Sequence, residues 1–129
     1  MNILVTVNSN YLHPLKVMLW SLFFNNPLRQ FNIYLMHSSL KDGELEGLCR
    51  YVEKYGQKLI SIKVDESLFN DALVVKHYSK EMYYRLYAHK CLPEDVDKIL
   101  YLDPDILVIN SLDGLYSLDL EDNLFAAAF

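Results

Sequence analysis

Short apolar runs alternate along this chain with segments of helical period. Ile3 to Val7 is nearly continuous in apolar residues, the pattern of a strand buried on both faces of a parallel sheet. Asn8-Ser9-Asn10 interrupts it with turn chemistry. From Tyr11 to Phe24, Leu15, Met18, Leu19 and Leu22 recur at helical spacing, and Pro14 is tolerated because it falls in the first turn. Asn25-Asn26-Pro27 ends that helix. Phe31 to His37 reads as a second strand. Asp42 to Tyr55 reads as a helix, with Leu45, Leu48 and Val52 on one stripe and Gly56 as its stop. Lys58 to Val64 alternates apolar and polar residues and reads as a third strand.

The remainder is less regular. Asp65 to Val75 has no clear period and reads as irregular structure. Ser79 can cap a helix running to about Cys91, ahead of Pro93. Asp97 to Leu102 gives a further strand with Lys98 at its exposed start. Ile106 to Ile109 gives a short β run, Ser111 to Tyr116 a helical turn, and Leu124 to Phe129 a last apolar, strand-like run. Strands alternating with helices imply βαβ units and a parallel sheet, an α/β architecture. The final apolar run has no turn or tail after it, so the sequence is expected to be a truncated piece of a longer domain.

Composition narrows the picture. At 129 residues the chain suits one domain, and 52% hydrophobic content is enough for a core, which excludes a disordered chain. A net charge of −5 argues against a nucleic-acid partner, and means that a phosphate ligand needs a metal, a helix N-terminus or placed cations. No signal peptide or membrane-length apolar stretch is present in the sequence. Cys49 and Cys91 read as two buried free thiols, and the chain as cytoplasmic.

The sharpest chemical feature is Ile99-Leu100-Tyr101-Leu102-Asp103-Pro104-Asp105-Ile106-Leu107-Val108. Carboxylates within apolar strand residues are costly to bury unpaired. A strand delivers them to its C-terminal end, where ligands bind in open α/β sheets. If the backbone stays extended there, residues two apart face the same way, so Asp103 and Asp105 can share one ion. Oxygen ligands of this kind favour Mg²⁺ or Mn²⁺, which bridges a diphosphate leaving group. The competing reading is a plain polar turn, because D-x-D alone is short and common. Two weaker features lie elsewhere. Asn8, Asn10 and Tyr11 follow the first strand and can bond or stack on a base, or simply form a loop and helix cap. Lys76 and Arg85 can meet phosphate, or Arg85 can pair with Glu81 one turn away. His13, His37, His77 and His89 show no metal spacing.

Taken together, these segments resemble the family-8 retaining glycosyltransferases, a group that includes lipopolysaccharide galactosyl- and glucosyltransferases and glycogenin. The residues that carry the likeness are the Ile3–Val7 strand with Asn8-Ser9-Asn10-Tyr11, Ser21 and Asn25, Tyr83-Tyr84-Arg85-Leu86, and Lys98 through Val108. Ser111-Leu112-x-x-Leu115 and Asp119-Leu120-x-Asp122-Asn123 follow in order, so the likeness covers the whole chain. It implies a GT-A fold, a Rossmann-like and mostly parallel sheet sandwiched by helices, of which residues 1–129 are the nucleotide-sugar-binding part. The acceptor-binding part is expected to be missing, and membrane association, where relatives have it, to reside there. The resemblance further implies a UDP-glucose or UDP-galactose donor and a saccharide acceptor. Asp103 and Asp105 would hold Mn²⁺ (or Mg²⁺), and Pro104 would lie against the ribose. Thr6, Val7, Asn8, Asn10 and Tyr11 would hold the uridine, and Lys76 and Arg85 the phosphate or sugar. No catalytic residue is assigned beyond Arg85 as a candidate.

Two departures stand out. Asn8 occupies a position that is often Asp, and an amide, unlike a carboxylate, can donate as well as accept. The later histidine that completes the metal site in such enzymes does not occur within the chain. Two other readings compete. One is a sugar-nucleotide-binding module or inactive fragment, whose cut sheet would self-associate. The other is a haloacid-dehalogenase-like phosphatase, disfavoured because Leu107 stands where that class wants Thr or Val and because the motif lies late in the chain.

Overall fold

In a computed structural model, residues 1–65, 67 and 81–127 are described. The expected irregular segment after Asp65, the Ser79 cap, Lys76 and His77 fall almost entirely outside them. Among the described residues the elements run β1 (Asn2–Thr6), a 3₁₀ turn (Ser9–Tyr11), α1 (Leu12–Asn25), β2 (Asn32–His37), α2 (Asp42–Glu53), β3 (Lys58–Lys63), α3 (Glu81–Cys91), β4 (Leu100–Tyr101) and α4 (Asp113–Tyr116). The four strands form one sheet in the order β3-β2-β1-β4, and every pairing is parallel.

This order follows from connection handedness. The chain steps from β1 to β2 to β3 in one direction, then returns past β1 to β4. Right-handed crossovers place helices on one face during the outward steps and on the other during the return. The packing agrees. Ile3, Val5, Ile33 and Leu35 share a core with Leu15, Met18, Leu19 and Leu22 of α1 and Leu48 and Val52 of α2. On the opposite face Leu4, Tyr34 and Met36 pack with Tyr84 and Ala88 of α3. β1 is therefore covered on both sides, which accounts for its nearly continuous apolar run. Gly56, just beyond α2, takes φ +70°, the left-handed conformation that glycine adopts without a Cβ clash.

Several expected elements differ. The strand expected over Asp97–Leu102 is only Leu100–Tyr101. At its start a side chain takes over from the ladder, Asn2 Nδ2 donating to the Lys98 carbonyl (3.1 Å), while at its end Leu102 N–H still donates to the Leu4 carbonyl (3.0 Å). Lys98 is half-buried instead of exposed, and its Nζ donates to the Leu118 carbonyl (2.8 Å) just past α4. Ile106–Ile109 is not a strand. Its one buried residue, Val108, donates its N–H to Ser21 Oγ (3.0 Å), while Asn25 Nδ2 donates to its carbonyl (2.8 Å). Helix side chains thus satisfy backbone groups that a neighbouring strand would otherwise take. Asn26 continues the pattern, accepting from Leu112 N–H (2.8 Å) and donating to the Leu22 carbonyl (2.9 Å). The described part of the final apolar run is irregular, with Leu124 and Phe125 exposed. Cys49 and Cys91 are free but half-buried, not buried as expected. No helix among the described residues is long and apolar enough to cross a membrane.

Ser21 Oγ both accepts from Val108 and donates to the Met18 carbonyl (2.7 Å). Ser21→Ala strands a buried N–H, and the expected cost is about 1–3 kcal/mol in denaturant unfolding. A second prediction concerns His37, the buried last residue of β2. Its Nε2 bonds Ser61 Oγ (2.8 Å), while Nδ1 has no hydrogen-bond partner among the described residues. Burial, and then the charge of Lys63, lower its pKa. The folded state therefore holds a neutral ring, whereas the unfolded chain takes up a proton near pH ~6.5. Stability is full above that pH, falls as pH drops below it, and levels off below the folded-state pKa. Thermal unfolding of wild type and His37→Gln between pH 7.5 and 5 checks this, since the variant should lose that part of the slope.

Candidate active site

The order in which the connections add strands reverses between β1 and β4, and in open α/β sheets ligands bind at such a switch point, beyond the C-terminal ends of the two strands. Asn8, Asn10 and Tyr11 lie on the β1 side of it, and Asp103 and Asp105 on the β4 side. The chain after β1 is held by its own side chains. Asn8 Oδ1 accepts from Asn10 N–H (3.0 Å), capping the 3₁₀ turn. Ser9 Oγ donates to Glu44 Oε2 (3.0 Å), which also accepts from Lys41 N–H (2.8 Å) at the start of α2. The Lys41 bond and then the Ser9 bond keep the Glu44 carboxyl below its usual pKa. The amide of Asn8, which on sequence alone can flip, thus presents its oxygen to the Asn10 backbone. Asn10 and Tyr11 are exposed, whereas Thr6 and Val7 are buried.

The expectation that strand alternation aligns the aspartates needs correcting. β4 ends at Tyr101, and Pro104-Asp105 form a turn. Pro104 has no N–H to continue a ladder, so pairing stops before the second carboxylate. The burial pattern still alternates, with Leu102 and Pro104 buried and Asp103 and Asp105 exposed. Both carboxylates are therefore open to solvent on the same short segment.

Asp103 lies within a cluster drawn from three elements. Tyr101 on β4 donates its hydroxyl to Asp103 Oδ1 (2.7 Å). The same hydroxyl lies 3.3 Å from Thr6 Oγ1 at the end of β1. Arg85 on α3 sits over the Tyr101 ring, 5.1 Å from its centroid, with Nη1 3.9 Å from Asp103 Oδ1. Burial above all raises the Tyr101 pKa, with further contributions in both directions from Thr6, Asp103 and Arg85. The phenol therefore stays protonated at neutral pH and serves as a donor. Of the sequence candidates, Thr6, Arg85 and Asp103 come together, the turn carries Pro104 and Asp105 with them, and Asn8, Asn10 and Tyr11 line the facing loop. Lys76 lies outside the described residues. Sequence reasoning missed Tyr101, although its position two residues before Asp103 was the available signal.

The donor set suits a hard divalent cation. Asp103 and Asp105 supply exposed carboxylate oxygens, and a cation such as Mg²⁺ takes one or two of these together with water or phosphate oxygens. Among the described residues no group of three or more His, Cys, Asp or Glu side chains converges as a complete protein site.

A parallel sheet with helices on both faces, a change of strand order between β1 and β4 and an Asp-Pro-Asp turn beside it fit an α/β protein of the GT-A type. The solved galactosyltransferase LgtC, in complex with donor and acceptor sugar analogues, shares this fold. It matches with a TM-score of 0.86 and 28% identity, over 95% of this chain and 44% of that one. The sequence profile of Glycosyl transferase family 8 matches residues 2–129, and the chain belongs to that family. Among curated relatives, glycosyltransferase GlyF of Streptococcus pneumoniae is 28% identical over 93% of this chain and 29% of its own length. Lipopolysaccharide 1,2-glucosyltransferase of Escherichia coli is 24% identical over 93% of this chain and 36% of its own length. The chain thus spans well under half the length of these relatives. Family membership removes the phosphatase reading.

Proposed function

We propose that this chain forms the donor-binding part of a metal-dependent retaining glycosyltransferase. The reaction moves a hexose from a UDP-sugar, with UDP-glucose and UDP-galactose the donors in view, to a saccharide acceptor. The observation that carries this reading is the approach of Arg85 to Asp103, with Asp105 two residues on in the same exposed turn, beyond the end of a strand paired to β1. A Mn²⁺ or Mg²⁺ ion held by Asp103 and Asp105 would supply charge neutralisation for the diphosphate leaving group. Family membership, and the donor and acceptor analogues bound by LgtC, support the substrate class.

The chain's own residues would divide the work. The exposed Tyr11 ring and the capped Asn8–Asn10 turn would receive the uracil and ribose. Pro104 holds the turn closed against the sheet and limits how far the two carboxylates can move relative to each other. Arg85, already directed toward Asp103, would supply a fixed cation for phosphate or donor sugar. Lys76 is assigned the same kind of contact by family resemblance.

Calorimetric titration of UDP with and without Mn²⁺ tests this directly. Wild type is expected to bind UDP in a metal-dependent way, and the Asp103→Asn/Asp105→Asn double variant to lose that dependence. Equal binding by a folded double variant would return the motif to a polar turn. Metal-dependent binding without sugar transfer would indicate a sugar-nucleotide-binding module. Arg85→Ala is expected to weaken UDP binding by about tenfold, the scale of one charge-assisted hydrogen bond. An unchanged affinity would remove Arg85 from the donor site.

A further inference from the structure

The Tyr101 hydroxyl has one proton, and it goes to Asp103 Oδ1 at 2.7 Å. The contact between Thr6 Oγ1 and the same hydroxyl at 3.3 Å then has only one consistent direction, with Thr6 donating to the tyrosine oxygen. From these two contacts we infer that Thr6 and Tyr101 form a directional hydroxyl relay that positions the Asp103 carboxylate for its ligand. Thr6 therefore acts through Tyr101 and not by touching nucleotide with its own hydroxyl. The inference rests on the donor-site reading above for what that ligand is.

Three observations support it. First, Thr6 is 5% exposed, so little of its side chain is open to a ligand. Second, Asp103 is itself exposed, with 54% of its side chain accessible, and a carboxylate in that state rotates unless something holds it. Tyr101 holds one oxygen, and Arg85 approaches the same oxygen while covering the tyrosine ring. Third, Thr6 and Tyr101 end adjacent paired strands, β1 and β4, so the relay spans the sheet reversal. It connects the strand leading into the base-side loop with the carboxylate on the phosphate side. A supporting partner of this kind orients a ligand group ahead of binding, and its loss commonly costs ~10–100-fold in metal affinity.

Tyr101→Phe keeps the ring beneath Arg85 and removes only the hydroxyl. Thr6→Val keeps the shape and removes only the first donor. In calorimetry, Tyr101→Phe is expected to weaken Mn²⁺-dependent UDP binding by roughly 10–100-fold. Thr6→Val should give a smaller loss in the same direction. Placed in the Tyr101→Phe background, Thr6→Val should add nothing, because its effect passes through the missing hydroxyl. A Thr6→Val loss of unchanged size in that background would mean direct nucleotide contact and would overturn the relay. Wild-type affinity in a folded Tyr101→Phe protein would overturn it as well.

A ligand-free measurement separates this inference from the donor-site reading. In protein labelled with ¹³C at the tyrosine ζ carbon, the Tyr101 resonance, assigned by its absence from Tyr101→Phe, should shift in both Thr6→Val and Asp103→Asn. If wild type binds no UDP while both shifts appear, the donor reading fails and the relay stands. If neither variant moves the resonance, the relay is wrong whatever binds.

Discussion

The pairing of β4 against β1 is the contact on which the site depends. It is small, consisting of the register pairs Ile3↔Leu100 and Leu4↔Tyr101. Without it the return crossover would not bring the Asp-Pro-Asp turn beside the chain leaving β1. The backbone bond from Leu102 N–H to the Leu4 carbonyl belongs to that ladder, and the Asn2 side chain extends it with a bond to the Lys98 carbonyl. Tyr116 reinforces the same end of the sheet, accepting from Asn2 N–H (3.0 Å) and donating to the Lys98 carbonyl (3.0 Å). A strand of two residues is weak by itself, so these side-chain bonds do what a longer ladder does elsewhere.

The backbone beyond the turn is held by a different device. Ser21, Asn25 and Asn26 lie in the last turn and cap of α1, and together they bond Val108 and Leu112. The helix that packs on β1 therefore also anchors the strand-like segment following the aspartates. Both sides of the crevice are referred to one rigid unit, β1 with α1. Such referencing limits relative motion between the Asn8–Tyr11 loop and the carboxylates, which is the condition for a preorganised site.

Electrostatics within the site are arranged at close range and not by net charge. The chain as a whole is acidic, at −5. A diphosphate approaching it meets repulsion at long range, screened beyond about 8–10 Å at physiological salt. Arg85 places one cation at the crevice, close to Asp103 and stacked on Tyr101. Stacking on an aromatic face limits the rotations of the guanidinium. Among the described residues Asp103 and Asp105 set two carboxylates against that one guanidinium, the balance on which the proposed divalent cation rests.

By itself the sequence determined the apolar cores of β1 and β2, the buried stripe of α1, the stop at Gly56, and Asp103 and Asp105 as site candidates. Each of these is written in local periodicity or in turn chemistry, where residues a few positions apart carry the signal. Ile106–Ile109 shows the limit of that signal. Its composition suits a strand, but only the fold brings Ser21 and Asn25 near enough to take its backbone bonds. The half-buried state of Lys98 has the same origin, in carbonyls near α4. The tertiary structure alone decided the strand order and the separate faces given to α1 and α3. It also decided the meeting of Thr6 with Tyr101, residues 95 positions apart. A hydrogen bond of that span leaves no period in the sequence, because its partners are selected by which strands lie side by side.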